Sequence, residues 1–233
     1  YCQVFRFLCL GLLSPIICML KECFYMAFDG ITIAAMVKEL HMNLDGGRFN
    51  KIAQPEADEL LITGKGANGQ CRLLLSASAS LPLIYFTSKN KPSPMTAPNF
   101  CMLLRKHIGS ARISDIRQPG LERVVMFELE HLNELGDPCK KVLIMELMGK
   151  HSNIIFCDDQ NMILDSIKHV SSHMSSVREV LPGREYFIPK TQDKLDPLTV
   201  NEEEFIQTVC YKPCNISRAV YSSLTGISPV VAE

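Results

Sequence analysis

From Arg48 to Ile167 the sequence is a succession of short apolar-rich runs separated by turn formers, and this rhythm restricts the fold more than any other feature. The runs Arg48–Gln54, Glu59–Thr63, Cys71–Ala77 and Leu83–Thr87 come first. After a break follow Ala111–Gln118, Arg123–Glu130, Lys141–Leu147, Ile154–Cys157 and Met162–Ile167. All have strand length. Lys65-Gly66-Ala67-Asn68-Gly69 signals a hairpin, because Asn-Gly tolerates positive φ. Asn133–Pro138 closes a second hairpin, and Asp158-Asp159 turns the chain between the last two runs. Hairpin connections make the strands antiparallel.

Helical periodicity appears at four places. Asp29 or Thr32 can cap a helix running to Leu44, with Ile33, Met36, Val37, Leu40 and Leu44 on one face and Gly46-Gly47 as its stop. Phe100–Ile108 reads as a short helix between the two groups of strands. The segment 171–197 is loop-rich, punctuated by Pro182-Gly183 and Pro189. Beyond it Asn201 caps a helix to Val209, Ser217–Leu224 forms another, and Gly226-Ile227-Ser228-Pro229 looks like a helix start. The expectation is an α+β domain over residues 26–198, built on an antiparallel sandwich or half-barrel. A small helical part over 199–233 follows it.

Residues 1–25 differ in character. Their apolar stretch from Phe7 to Leu20 is short for a membrane span and is broken by Ser14-Pro15, with no small-residue cleavage site after it. The chain opens on Tyr, and Met26 is the first methionine followed by a convincing domain. We read 1–25 as a non-native leader, with an N-terminal anchor as the alternative. Of the ten cysteines four lie in this leader. Among the other six there is no CxxC pair, and Cys101 and Cys157 sit in apolar runs, as small hydrophobes do in a reducing cytoplasm.

A net charge of −1 does not mark a simple electrostatic nucleic-acid binder. Its distribution is uneven: residues 26–120 carry 11 Lys/Arg against 7 Asp/Glu, and 121–233 carry 11 against 17. No dinucleotide or Walker glycine loop, zincin HExxH or GxSxG elbow is present. The histidines at 41, 107, 131, 151, 169 and 173 do not fall at metal-ligand spacing with acidic partners. Three polar clusters stand out. Arg105-Lys106-His107 ends the Phe100 helix, where cations complement the dipole or contact phosphate. Gly149-Lys150-His151-Ser152-Asn153 interrupts two apolar strands and is by default a turn. Glu122-Arg123 enters a strand after Pro119-Gly120-Leu121, with its two side chains on opposite faces.

Ten short stretches, in order, are similar to the NFACT N-terminal domain of the bacterial RqcH and fibronectin-binding-protein-A-like family. They are MAFDGI (26–31), GGRFNKIAQP (46–55), LLLSA (73–77), FCMLLRKHI (100–108), GLERVVMFE (120–128), GDP (136–138), ELMGKHSNII (146–155), DSIKHV (165–170), VLPGREY (180–186) and GISP (226–229). The resemblance implies a fold like the N-terminal domain of formamidopyrimidine-DNA glycosylases, with a helix-hairpin-helix region behind. Those enzymes work through an N-terminal proline and glutamate; Met26-Ala27-Phe28 supplies neither, so glycosylase activity is not expected.

The resemblance further implies a cytoplasmic, non-catalytic role on a large ribosomal subunit that still carries a stalled peptidyl-tRNA. The family protein presents alanyl-tRNA there, and the ribosome extends the nascent chain with alanines without mRNA. No cofactor, metal, DNA or membrane is expected. In bacterial members an Asp-Arg pair within Gly-Leu-Asp-Arg engages tRNA; here it reads Gly120-Leu121-Glu122-Arg123. Lys150 stands where arginine is usual. Glu122 and Arg123 are the expected tRNA contacts, with Arg105, Lys106, His107, Lys150, His151 and Asn153 as further RNA or phosphate contacts. The competing readings are a fibronectin-binding surface adhesin and a protein scaffold without RNA contact.

Overall fold

Asp29 starts the first helix as expected: its carboxylate Oδ1 accepts the Thr32 N–H at 2.9 Å, and α1 runs Gly30–Leu44. In the computed structural model of the chain, residues 28–132, 135–189 and 193–233 are described. The leader reading, Met26-Ala27 and the tip of the Asn133–Pro138 turn lie outside them.

Among the described residues nine strands follow the predicted rhythm. β1 (Arg48–Glu56), β2 (Glu59–Gly66), β3 (Gly69–Ser76) and β4 (Leu83–Phe86) form one meander. After α2 (Asn99–Ile108) come β5 (Arg112–Arg117), β6 (Val124–Leu132), β7 (Pro138–Glu146), β8 (Asn153–Asp158) and β9 (Ile163–Ser166). The hairpin predicted at 65–69 is tight, Gly66 pairing with Gly69. The strand order is β4-β3-β2-β1-β5-β6-β7-β8-β9, antiparallel and open at both ends. The two meanders meet at a corner. Only Arg48 and Arg112 are register partners across β1 and β5, flanked by Phe49 N–H to Ala111 O (3.0 Å) and Ile113 N–H to Gly47 O (2.8 Å).

Both meanders and both helices bury their apolar faces in one core, which joins Leu40 and Leu44 of α1, Leu104 and Ile108 of α2, and Ile62, Leu75, Phe127 and Phe156 of the sheet. The Lys168 ammonium, just beyond β9, donates to the carbonyl of Ala77, just beyond β3, and to that of Ser152 at 3.2 Å. One side chain thus ties the far ends of the two meanders together.

The loop-rich segment after β9 has a definite task. It lies on the outer face of β6–β9, where Val180 and Tyr186 close a second apolar cluster with Val124, Met126, Ile144 and Ile155. A buried triad anchors it: Arg178 Nη2 donates to both oxygens of the fully buried Glu146 (2.6 and 2.5 Å), and Tyr186 Oη donates to Glu146 Oε1 at 3.0 Å.

The C-terminal part holds α3 (Glu202–Phe205), capped by Asn201 as expected and widening into a five-residue turn, then α4 (Ile216–Ser223). Its small core of Val209, Ala219 and Leu224 draws in Leu195 from before residue 199. Gly226–Pro229 leads into one helical turn, with Ser228 O accepting from Val231 and Ala232 and its hydroxyl accepting Val231 N–H at 3.4 Å, and the segment packs back against α1.

Candidate nucleic-acid interface

The Glu122-Arg123 pair sits where three distant stretches of chain lock together. Pro119–Glu122 is a tight turn, Glu122 N–H to Pro119 O at 3.0 Å, with Gly120 at φ +53°. Leu121 is seated against two glycines. A Cβ on Gly30 would fall 2.1 Å from Leu121 O, and one on Gly226 would fall 2.3 Å from the same atom. Neither position has room for any other residue. Gly30 N–H donates to Gly226 O at 2.8 Å. The Gln118 amide bridges Gly30 O and Glu122 O, both at 2.9 Å. Asp29 adds a second bond to its capping bond: its Oδ2 accepts the buried Ser228 hydroxyl at 2.6 Å. The backbone under Glu122-Arg123 is therefore held from α1, from its own turn and from the C-terminal part.

Arg123 itself is exposed, and among the described residues its guanidinium is engaged in no hydrogen bond or ion pair. Only its carbonyl is used, accepting Leu147 N–H at 2.9 Å. Glu122 is half-buried, and burial pushes its carboxyl above the ordinary range; Arg123 and Lys194 pull it back, while Asp196 pushes it further up. Burial pushes Lys194 down, helped by the positive charges of Arg123 and Lys212. Lys194 Nζ donates to Tyr221 O and Lys212 Nζ to the Ser222 and Ser223 hydroxyls, so both ammoniums gather at the last turn of α4. The result is a junction of mixed charge, in which Arg123, Lys194 and Lys212 lie among Glu122, Asp196 and Asp29.

Lys150 and His151 stand exposed on the short turn between β7 and β8, at the same end of the sheet as Arg123. Asn153 does not join them, which corrects its reading as a contact residue. It is 2% exposed; its Nδ2 donates to Lys168 O at 2.8 Å, and its Oδ1 accepts the N–H groups of Ile154 and Lys168. Asn153 shapes the turn and sets Lys168.

Arg105, Lys106 and His107 lie elsewhere. The His107 ring packs 6.5 Å from that of His131 and 6.1 Å from Phe156, at the hairpin end of β6. His131 is eight residues beyond Arg123 on an extended strand, about 26 Å at the usual rise. Arg105 is also partly committed, its Nε donating to Ile52 O at 2.7 Å. The sequence clusters therefore divide into two groups at opposite ends of the sheet. Lys194, Asp196 and Gln118 surround the expected pair without any local pattern to mark them, while Asp29 and Ser228 were legible only as a helix cap and a helix start.

The fold is an open antiparallel α+β sheet that presents Arg123 on a backbone held from three sides. The chain belongs to the family described as NFACT N-terminal and middle domains, matched over residues 29–233. It is 39% identical over 211 residues to the Rqc2 homolog RqcH of Bacillus subtilis, covering 89% of this chain and 37% of that protein. It is 27% identical over 151 residues to the human ribosome quality control complex subunit NEMF, covering 65% of this chain and 13% of that protein. Among solved structures, the N-terminal domain of fibronectin-binding protein PavA from Streptococcus pneumoniae superimposes with a TM-score of 0.80 at 34% identity, covering 88% of this chain and 77% of that one. The family is thus that of ribosome quality control factors. This chain spans little more than a third of the bacterial relative's length.

Proposed function

We propose that this chain is the tRNA- and large-subunit-binding module of a cytoplasmic ribosome quality control factor, acting while the ribosome adds alanines to a stalled nascent chain. The protein holds RNA and makes or breaks no bond itself. The observation that carries the reading is the unengaged, exposed Arg123 guanidinium on a rigid turn, with Lys150 and His151 at the same sheet end. A guanidinium in that setting forks onto phosphate or stacks on an unpaired base, and a preset backbone lowers the ordering cost of doing so. Glu122, half-buried beside it in sequence, interacts with the arginine by charge. Alanyl-tRNA is the ligand the family resemblance favours.

Charge reversal decides the matter. Arg123→Glu is expected to reduce ultraviolet crosslinking of the chain to tRNA by about tenfold or more. Carried in a full-length family protein, it is expected to abolish alanine tailing. Unchanged crosslinking and tailing would leave a scaffold without RNA contact as the better account. The fibronectin-binding name of the PavA relative favours a second reading, a surface adhesin. Recovery of the native protein with ribosomal large subunits rather than at the cell surface separates the two.

A further inference from the structure

The corner that joins the two meanders carries an arrangement a sheet normally avoids. Arg112 of β5, Arg48 of β1 and Lys65 of β2 are successive register partners, and all three are exposed. Like charges directly opposite one another on neighbouring strands destabilise a sheet. Their neighbours Ile113 and Phe49 face the core, and a Cβ on Gly64, next to Lys65, would meet Leu44 and Phe49, so strand alternation puts the three cations together on the outer face. The next outward row repeats the pattern, Lys51 pairing with Thr63 and Thr63 with Arg72.

Nearby acids offset this surface only in part, since a single acid, Glu130 opposite Arg112, faces the first row's three cations. The first row continues to Glu130, whose carboxylate lies 3.9 Å from Lys140. Glu128 is bound to Arg117 at 2.7 Å, and Glu59 is paired with Lys91. Among the described residues Arg112, Lys65 and Lys51 form no ion pair, and Arg48 and Arg72 use one nitrogen each on a backbone carbonyl (Ser110 at 3.2 Å, Ser88 at 3.1 Å). In the third row Ala53, Leu61 and Leu74 are buried, and the row ends in Tyr85, which is 41% exposed.

We infer that the outer face of β5-β1-β2-β3 is a second RNA surface, which tracks a phosphate backbone with Arg112, Arg48, Lys65, Lys51 and Arg72 and offers Tyr85 to a base. Cations spaced by the strand separation of about 4.8 Å match a polyanion better than any single small anion. The inference rests on the RNA-binding reading above but places the contact on a different face and different residues from Arg123. Sequence readout is not expected, since such contacts position RNA without reading it.

The test compares three chains for binding to a fluorescein-labelled RNA hairpin across a KCl series: the parent, Arg48→Gln/Lys65→Gln/Arg112→Gln, and Arg123→Gln. The triple variant is expected to bind at least about tenfold more weakly, with a slope of log affinity against log salt shallower by about 2 to 3. It is also expected to melt no lower than the parent, because repulsion has been removed. If it does melt lower, Lys51→Gln/Arg72→Gln on the adjacent row decides by the same slope criterion. Parent-like affinity and slope in the triple variant, with loss in Arg123→Gln, overturns this surface and leaves the Arg123 site standing. Failure of the parent to bind the hairpin overturns both. Displacement of the hairpin by polyglutamate at equal charge concentration would reassign the face to acidic protein and sink the RNA assignment.

Discussion

At the scale of single residues, the chain separates side chains that hold from side chains that present. Asn153 and Arg123 both looked like contacts in the sequence. One is spent on the backbone around Lys168, and the other is left unengaged. Position relative to the sheet decides this: Asn153 opens β8, inside the fold, whereas Arg123 precedes β6. Cys157 shows how strongly the inside is enforced. Burial pushes its thiol from 9.0 up to about 12, with the charges of Asp158 and Glu146 acting in the same direction. Folding therefore favours the neutral thiol. That contribution is complete below pH 9, where the unfolded thiol is also protonated, and is lost as pH rises toward 12. Cys157→Ala is expected to cost about 1–2 kcal/mol at neutral pH through the small cavity left. Its deficit should shrink steadily between pH 9 and 12 in urea titrations at stepped pH; a constant deficit would contradict the assignment.

At the scale of elements, the covering segment on the outer face of β6–β9 depends on one buried acid. Glu146 is 0% exposed and receives Arg178 and Tyr186, while the Arg178 side chain also bonds Phe187 O at 2.5 Å. A buried pair of this kind adds little over an apolar replacement, yet removing one partner strands the other charge. Arg178→Ala is expected to cost about 3–5 kcal/mol. The loss should be local before it is global. The reciprocal Val170–Val180 backbone bonds, 3.0 and 2.8 Å, should lose hydrogen-exchange protection first. Equal loss of protection across β1–β4 would show instead that the segment unfolds only with the whole chain.

At the scale of the molecule, two meanders share one core but only one register pair, so side-chain ties between them matter more than in a continuous sheet. Lys168 supplies the tie at the far side, and Asp29–Ser228 with Gly30–Gly226 supplies the one that docks the C-terminal part. Lys168→Met keeps the apolar stem and removes the ammonium. It is expected to lower stability by about 1–3 kcal/mol, since charged hydrogen bonds to two carbonyls are lost. An unchanged urea midpoint would mean that the core alone holds the meanders together.

Much of this was legible in the chain itself. Strand and helix positions follow from local alternation, turn residues and caps, because those signals act over neighbours a few residues apart. The hairpin at 65–69, the caps at Asp29 and Asn201 and the inward-facing Cys101 and Cys157 are of this kind. The motif Gly120-Leu121-Glu122-Arg123 could be read there too, as a candidate site and no more. The setting of that motif was not legible. Asp29 meets Ser228 across 199 positions and Gln118 meets Gly30 across 88, and no local pattern encodes contacts at such separations. Nor could the sequence place Arg48, Arg112 and Lys65 in one row, because strand pairing at a corner follows from how two apolar faces close over two helices. Local chemistry determined the elements; the shared core, which forms only when distant segments exclude water together, decided which charged side chains would meet.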